Sequence, residues 1–278
     1  MPPNGAALPS EFRDVTESEG RGLPLRAFIP NAVTVLALCA GLTAIRFGFT
    51  QEWEKAMIAI VVAGVLDGLD GRIARMLKAN SKFGAELDSL CDNIGFGTAP
   101  ALILFQWSLA KAPKFGWTVA LALAISCALR LARFSSRIDA DLQPHKAAGF
   151  NTGVPAPAGA GLAFSPIYLW LLTGNDLFRD WRLVMPWTLL VALLMISAIP
   201  TFSWTSFRIR RSWRVAGLAA IAILAAALIN EPWITLLMAS LAYLVSVPFS
   251  LASYAKVKRR RAILAARGPA DEPTRPAA

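Results

Sequence analysis

The chain has 278 residues, 55% of them hydrophobic and 17% charged, with a net charge of +10 and a mean hydropathy of +0.50. Soluble domains carry about 25% charged residues, so this composition excludes an ordinary water-soluble globule. The basic balance, gathered in short segments between apolar runs, fits anionic lipid headgroups and argues against nucleic acid as a partner.

Residues 1–27 are polar and mixed in charge (SEFRDVTESEGRG) and lack the ordered basic and apolar regions of a cleavable signal. Eight apolar runs follow, at about 28–48, 54–74, 85–108, 116–135, 152–173, 183–201, 213–230 and 232–253. Most approach the bilayer-spanning length of about 20 residues. The expected fold is therefore all-α, a polytopic transmembrane helix bundle of about eight spans over 28–253. A cytoplasmic segment (1–27) precedes it and a basic tail (254–278) follows.

With eight spans and both termini inside, 22 of the 28 Lys and Arg residues lie on the inner side and 6 on the outer. That asymmetry predicts an inner-membrane protein with a basic cytoplasmic face. The KVKRRR run at 256–261 then reads as a topology stop touching the lipid surface. Cys39, Cys91 and Cys127 fall in or at apolar runs with no CxxC pair, and are expected as small buried residues. Trp53, Trp107, Trp117, Trp170, Trp187, Trp204 and Trp233 lie near run ends and are expected as interface anchors.

The second and third runs carry the chemistry. Within DGLDGRIARMLKANSKFGAELDSLCD (67–92) stand four aspartates, Asp67, Asp70, Asp88 and Asp92. A carboxylate at membrane depth is costly unless it meets a wet cavity, a cation or a metal. Asp67 and Asp70 are three apart on one helical face, continued by Gly71, Ala74 and Arg75. Asp88 and Asp92 are four apart on the next helix, with Gly84 one turn earlier. Packed together, the two stripes form a four-carboxylate pocket near the cytoplasmic end. Such carboxylates repel one another, and two divalent cations relieve that. An all-oxygen donor set favours Mg²⁺, Mn²⁺ or Ca²⁺ over zinc. Two carboxylate-held metals suit chemistry at a phosphate or pyrophosphate. An ion-coupling site in a cation-coupled transporter is the rival explanation, although no inverted counterpart occurs in the second half.

The full pattern, Asp67-x-x-Asp70-Gly71-x-x-Ala74-Arg75, eight residues, then Gly84-x-x-x-Asp88-x-x-x-Asp92, resembles the complete signature of the CDP-alcohol phosphotransferase family. The resemblance implies metal-dependent exchange of the CMP of a CDP-linked lipid for an alcohol, and a homodimer. It implies that Asp67, Asp70 and Asp88 are the principal metal ligands for two Mg²⁺ or Mn²⁺ ions. Asp92 would share that site and act as general base. Gly71, Ala74, Arg75 and Gly84 would line the CDP pocket. Pro30-Asn31-x-x-Thr34 is similar to the family's first-helix motif, which adds Asn31 and Thr34 to that pocket.

The signature leaves the acceptor open; segments after it bear on the choice. Asn93-Ile94-Gly95-Phe96-Gly97-Thr98-Ala99-Pro100-Ala101 resembles a segment of the family's bacterial serine-accepting branch, with Gly95 where that branch often has Ser. Leu129–Phe134, Phe150–Gly161 and Ile199–Trp204 resemble three further segments, so the likeness spans a core of about 28–205. It implies CDP-diacylglycerol and L-serine as substrates, and phosphatidylserine and CMP as products. Arg130 and Arg133, three apart, offer cations for an acceptor carboxylate or the lipid phosphate, and equally serve as positive-inside anchors. Asn93 joins them as an acceptor-side candidate. Arg137, Lys146 and the lone His145 have weaker claims. Glycerol 3-phosphate, choline or an inositol phosphate remain alternative acceptors.

Overall fold

A computed structural model of the chain describes residues 25–79, 81–135, 150–197, 199–202 and 214–266. Every apolar run in this range becomes helix. In chain order these are α1 (Leu25–Phe49), α2 (Trp53–Met76), α3 (Lys82–Asp92), α4 (Ala99–Trp107) and α5 (Gly116–Ser135). Then come α6 (Ala156–Ala163), α7 (Ser165–Thr173), α8 (Trp181–Ile196), α9 (Arg214–Asn230) and α10 (Pro232–Ala266). Residues Asn93–Thr98 join α3 to α4 as a π-helical turn, so the predicted third run is one rod with a wide turn at its middle.

Local chemistry sets the ends. The Ser81 hydroxyl accepts the Gly84 N–H at 3.0 Å and caps α3, and the Asp180 carboxylate accepts the Arg182 N–H at 2.9 Å and caps α8. Proline opens α4, α6 and α7, where a missing N–H costs nothing. Gly174 closes α7 in the left-handed conformation at φ +65°.

Among the described residues, three helical stretches are long and apolar enough to cross a membrane: Phe28–Phe49, Gly116–Arg133 and Pro232–Leu251. The pair α6–α7, bent by 40° at Phe164, makes a fourth if it counts as one span. The chain is therefore a membrane protein. Helices α8, with 16 residues, and α9, with 17, are apolar but short. The aspartates and arginines of the second and third runs dilute their apolar character.

One departure from a purely helical fold is a two-stranded antiparallel ladder, Phe150–Thr152 with Pro200–Phe202, in which Asn151 faces Thr201. It joins two of the segments singled out in the sequence. Gly153 follows it at φ +74°, its N–H donating to the Ile199 carbonyl at 2.8 Å. A Cβ at Gly153 would stand 2.8 Å from the carbonyl oxygens of Met195 and Ser197, so only glycine fits.

Helices α1 and α2 pack along their length, and α5 packs against α8. The core between them is built on Trp107, Leu104, Leu123, Phe164 and Ile167, all fully buried. Gly159 lets α6 close onto α8, since a Cβ there would meet Met195 Sδ at 2.6 Å. The small residues of the GVPAPAGAG stretch thus serve helix packing.

Two sequence expectations are corrected. Trp53 and Trp107 are buried in the core rather than placed at an interface. Arg179 explains why: its guanidinium lies 5.7 Å from the Trp53 ring and 5.6 Å from that of Trp170, which meets Trp107 edge-on, and its Nε donates to the Trp107 carbonyl. Cys39 is exposed, whereas Cys91 and Cys127 are buried as expected. Trp204, Arg137, His145 and Lys146 lie outside the described residues.

Candidate active site

The N-terminal half of α1, the C-terminal half of α2, and α3 enclose the aspartates. Spacing on α2 puts Asp67 and Asp70 on the face turned to α1 and α3, and the capped start of α3 brings Asp88 opposite them. Asp67, Asp70 and Asp88 each offer a carboxylate oxygen within 4.8 Å of the other two. Asp70 is buried, at 4% exposure, and Asp67 and Asp88 are half-buried. The Thr34 hydroxyl lies 2.6 Å from Asp70 Oδ2 and 3.1 Å from the Pro30 carbonyl, so α1 fixes the orientation of that carboxylate.

This trio fits a hard divalent cation. The donors are all oxygen, their spacing matches one ion's coordination shell, and a hydroxyl already orients one of them. Asp92, one turn beyond Asp88, hydrogen-bonds to Asp67 and stands outside the tight trio. Expected as a fourth ligand and as base, it is placed by this geometry at the edge of the cation site, next to the π-turn.

Beside the trio opens a cavity of about 320 Å³. Its walls carry all six residues expected to hold CDP: Asn31, Thr34, Gly71, Ala74, Arg75 and Gly84, with Asp70 and Asp88 at its inner end. A Cβ on Gly84 would stand 2.9 Å from Asn31 Oδ1, so glycine there keeps α3 close to α1. A Cβ on Gly71 would lie 3.6 Å from Arg75 Nη1, which places the exposed guanidinium along the Gly71 backbone at the cavity wall. Ser81, Ala79 and Ala85 line it as well and were missed. The signal for Ser81 was present: a serine immediately before the first residue of a helical run is a cap.

On the acceptor side the expected residues separate. Arg130 points inward and lies in electrostatic range of Asp92 and of Tyr243 on α10. Arg133 is exposed and its Nη1 donates to the Ile196 carbonyl at 3.2 Å, which ties α5 to the end of α8. Asn93 opens the π-turn with its side-chain oxygen buried. Wide turns of this kind often accompany functional sites.

A model of the CDP-alcohol phosphatidyltransferase family matches residues 27–196. The chain belongs to this family. A second model, CDP-alcohol phosphatidyltransferase 2, matches residues 212–248, so α9 and the first half of α10 also carry a family likeness. The chain is 39% identical over 233 residues to the CDP-diacylglycerol–serine O-phosphatidyltransferase of Mycobacterium tuberculosis, covering 84% of this chain and 81% of that protein. It is 33% identical over 193 residues to the enzyme of that name from Helicobacter pylori, covering 67% and 77%. With the protein of that name from Methanocaldococcus jannaschii it shares 35% identity over 175 residues, covering 62% and 72%. Family membership removes the transporter alternative.

Proposed function

We propose that the protein is a membrane-bound CDP-diacylglycerol–serine O-phosphatidyltransferase that makes phosphatidylserine and CMP. The observation that carries this is the coincidence of the carboxylate trio with a cavity walled by all six residues expected to hold CDP. The serine-specific names of relatives matched over most of the chain support the acceptor.

Asp67, Asp70 and Asp88 hold the divalent ions, two of Mg²⁺ or Mn²⁺, with Asp92 alongside. When bound, such ions polarise the phosphoryl group and neutralise the departing phosphate. The cytidine end of the lipid lies in the cavity against Asn31, Thr34, Gly71, Ala74 and Gly84. Arg75 aims its donors at a phosphate oxygen. The acyl chains stay in the bilayer. A serine hydroxyl is a weak nucleophile at neutral pH, so its proton must leave as it attacks. Asp92 takes that proton. The serine oxygen bonds to the phosphorus that bears diacylglycerol, the bond from that phosphorus to the CMP oxygen breaks, and CMP leaves with the electron pair. Arg130, Arg133 and Asn93 lie on the side from which the acceptor enters.

The orientation that places most basic residues inside puts this cleft and both termini at the cytoplasmic face of the inner membrane. In this arrangement about eight spans occupy 28–253, with 1–27 and 254–278 in the cytoplasm. The homodimer implied by the sequence resemblance belongs to the same picture.

Purified protein with Mg²⁺ or Mn²⁺, CDP-diacylglycerol and a panel of labelled alcohols tests the proposal. CMP release with L-serine alone is expected. Release with choline, an inositol phosphate or glycerol 3-phosphate instead refutes the acceptor.

A further inference from the structure

Two polar atoms beside Asp92 are sealed from solvent and have no hydrogen-bond partner: Asn93 Oδ1 and Arg130 Nε. A Cβ on Gly97 would stand 3.1 Å from the Asn93 oxygen and 2.8 Å from Cys127 Cβ. The Asn93 oxygen therefore lies against the face of α5 that carries Cys127. Arg130 is three residues further along that helix, its guanidinium in electrostatic range of Asp92 and of Tyr243. A buried polar atom left unpaired is destabilising, and such atoms persist where a ligand completes them.

The two orphans have opposite polarity. An amide oxygen only accepts and calls for an N–H or O–H donor, best a charged one; a guanidinium Nε–H only donates and is best met by an anionic oxygen. An amino acid bearing a hydroxyl presents an ammonium and a carboxylate on the carbon next to its hydroxymethyl group. Choline has neither an N–H nor a carboxylate. Glycerol 3-phosphate has no ammonium and offers the Asn93 oxygen only a neutral hydroxyl, a weaker partner than a charged N–H. Rejection of an analogue that leaves a buried polar group unmet is the strong form of substrate selection. Arg133 is already bound to the Ile196 carbonyl, so the inward cation of the pair is Arg130.

We propose that Asn93 Oδ1 receives the ammonium group of a zwitterionic amino-acid acceptor whose carboxylate docks on Arg130, which makes Asn93 a determinant of selectivity for amino acids over simple alcohols. This rests on the serine reading above and adds the atom that reads the amine.

The test uses the full-length enzyme and CDP-diacylglycerol, with L-serine and 3-hydroxypropionate, the same skeleton without the ammonium, each measured as acceptor and as competitor. Asn93→Leu is expected to raise KM for L-serine about tenfold or more. It should leave the KM for CDP-diacylglycerol unchanged and should hold or improve the response to 3-hydroxypropionate, which then leaves no amide oxygen unmet. Asn93→Asp keeps the oxygen and adds charge, so its preference for L-serine over 3-hydroxypropionate should hold or rise. Equal losses on both acceptors in Asn93→Leu, or a fall in that preference in Asn93→Asp, overturn the inference. Wild-type enzyme that releases CMP with glycerol 3-phosphate and not with L-serine refutes the functional reading itself, before any variant is compared.

Discussion

The cleft between α1, α2 and α3 and the outer hairpin of α9 and α10 are built from similar apolar helices, yet they differ in kind. In the cleft, residues of three helices converge on a single cavity, Asp70 is buried, and Gly84 admits a close neighbour that any side chain would disturb. In α9 the apolar side chains face outward: Val215, Ile221, Ile223 and Ile229 are all largely exposed. Among the described residues, α9 packs chiefly on α10. In water that exposure would be a fault; against lipid it costs nothing, because hydrocarbon is as apolar as the side chains. Hydrophobicity therefore does not separate the working half of this molecule from its margin. Convergence of polar and small residues does.

This contrast can be broken at graded strength. Asp70→Ala removes the buried member of the trio and should cut CMP release about a thousandfold, as expected when several kcal/mol of metal-borne stabilisation are lost. Chelation of divalent ions from the wild type should match that loss, and added Mg²⁺ or Mn²⁺ should reverse it. Gly84→Val pushes a side chain into Asn31 and should raise the KM for CDP-diacylglycerol about tenfold or more, with Mn²⁺ affinity unchanged in a binding titration. Thr34→Val removes the hydroxyl that orients Asp70 and should weaken Mn²⁺ binding about tenfold, the lower end of what loss of an outer-shell partner costs. Ile223→Leu on α9 should alter neither rate nor thermal stability beyond about 0.5 kcal/mol, since the side chain meets only lipid. A large effect there would place α9 in the working core.

Much of the cleft was legible in the sequence because its residues are local. Asp67, Asp70, Gly71, Ala74 and Arg75 share one helical face, and Gly84, Asp88 and Asp92 another, so helical spacing alone sets each stripe. Asn31 and Thr34 are distant in sequence, and only the family resemblance linked them to the pocket; the Thr34–Asp70 hydrogen bond now supplies the physical link. What escaped was long-range or irregular. The π-turn at Asn93–Thr98 sets Gly97 against Cys127, a contact 30 residues apart that no periodicity reveals. The burial of Trp53 and Trp107 depends on Arg179, which arrives from a distant turn. The pairing of Phe150–Thr152 with Pro200–Phe202 is likewise hidden, because three-residue strands leave no alternation to read.

The central claim is a division of labour, with Asp67, Asp70 and Asp88 holding metal and Asp92 moving the proton. Mn²⁺ binding and CMP release measured side by side on Asp92→Asn test it most directly. The account predicts that Mn²⁺ and CDP-diacylglycerol still bind while turnover with L-serine is abolished. A near-normal rate in that variant would contradict it.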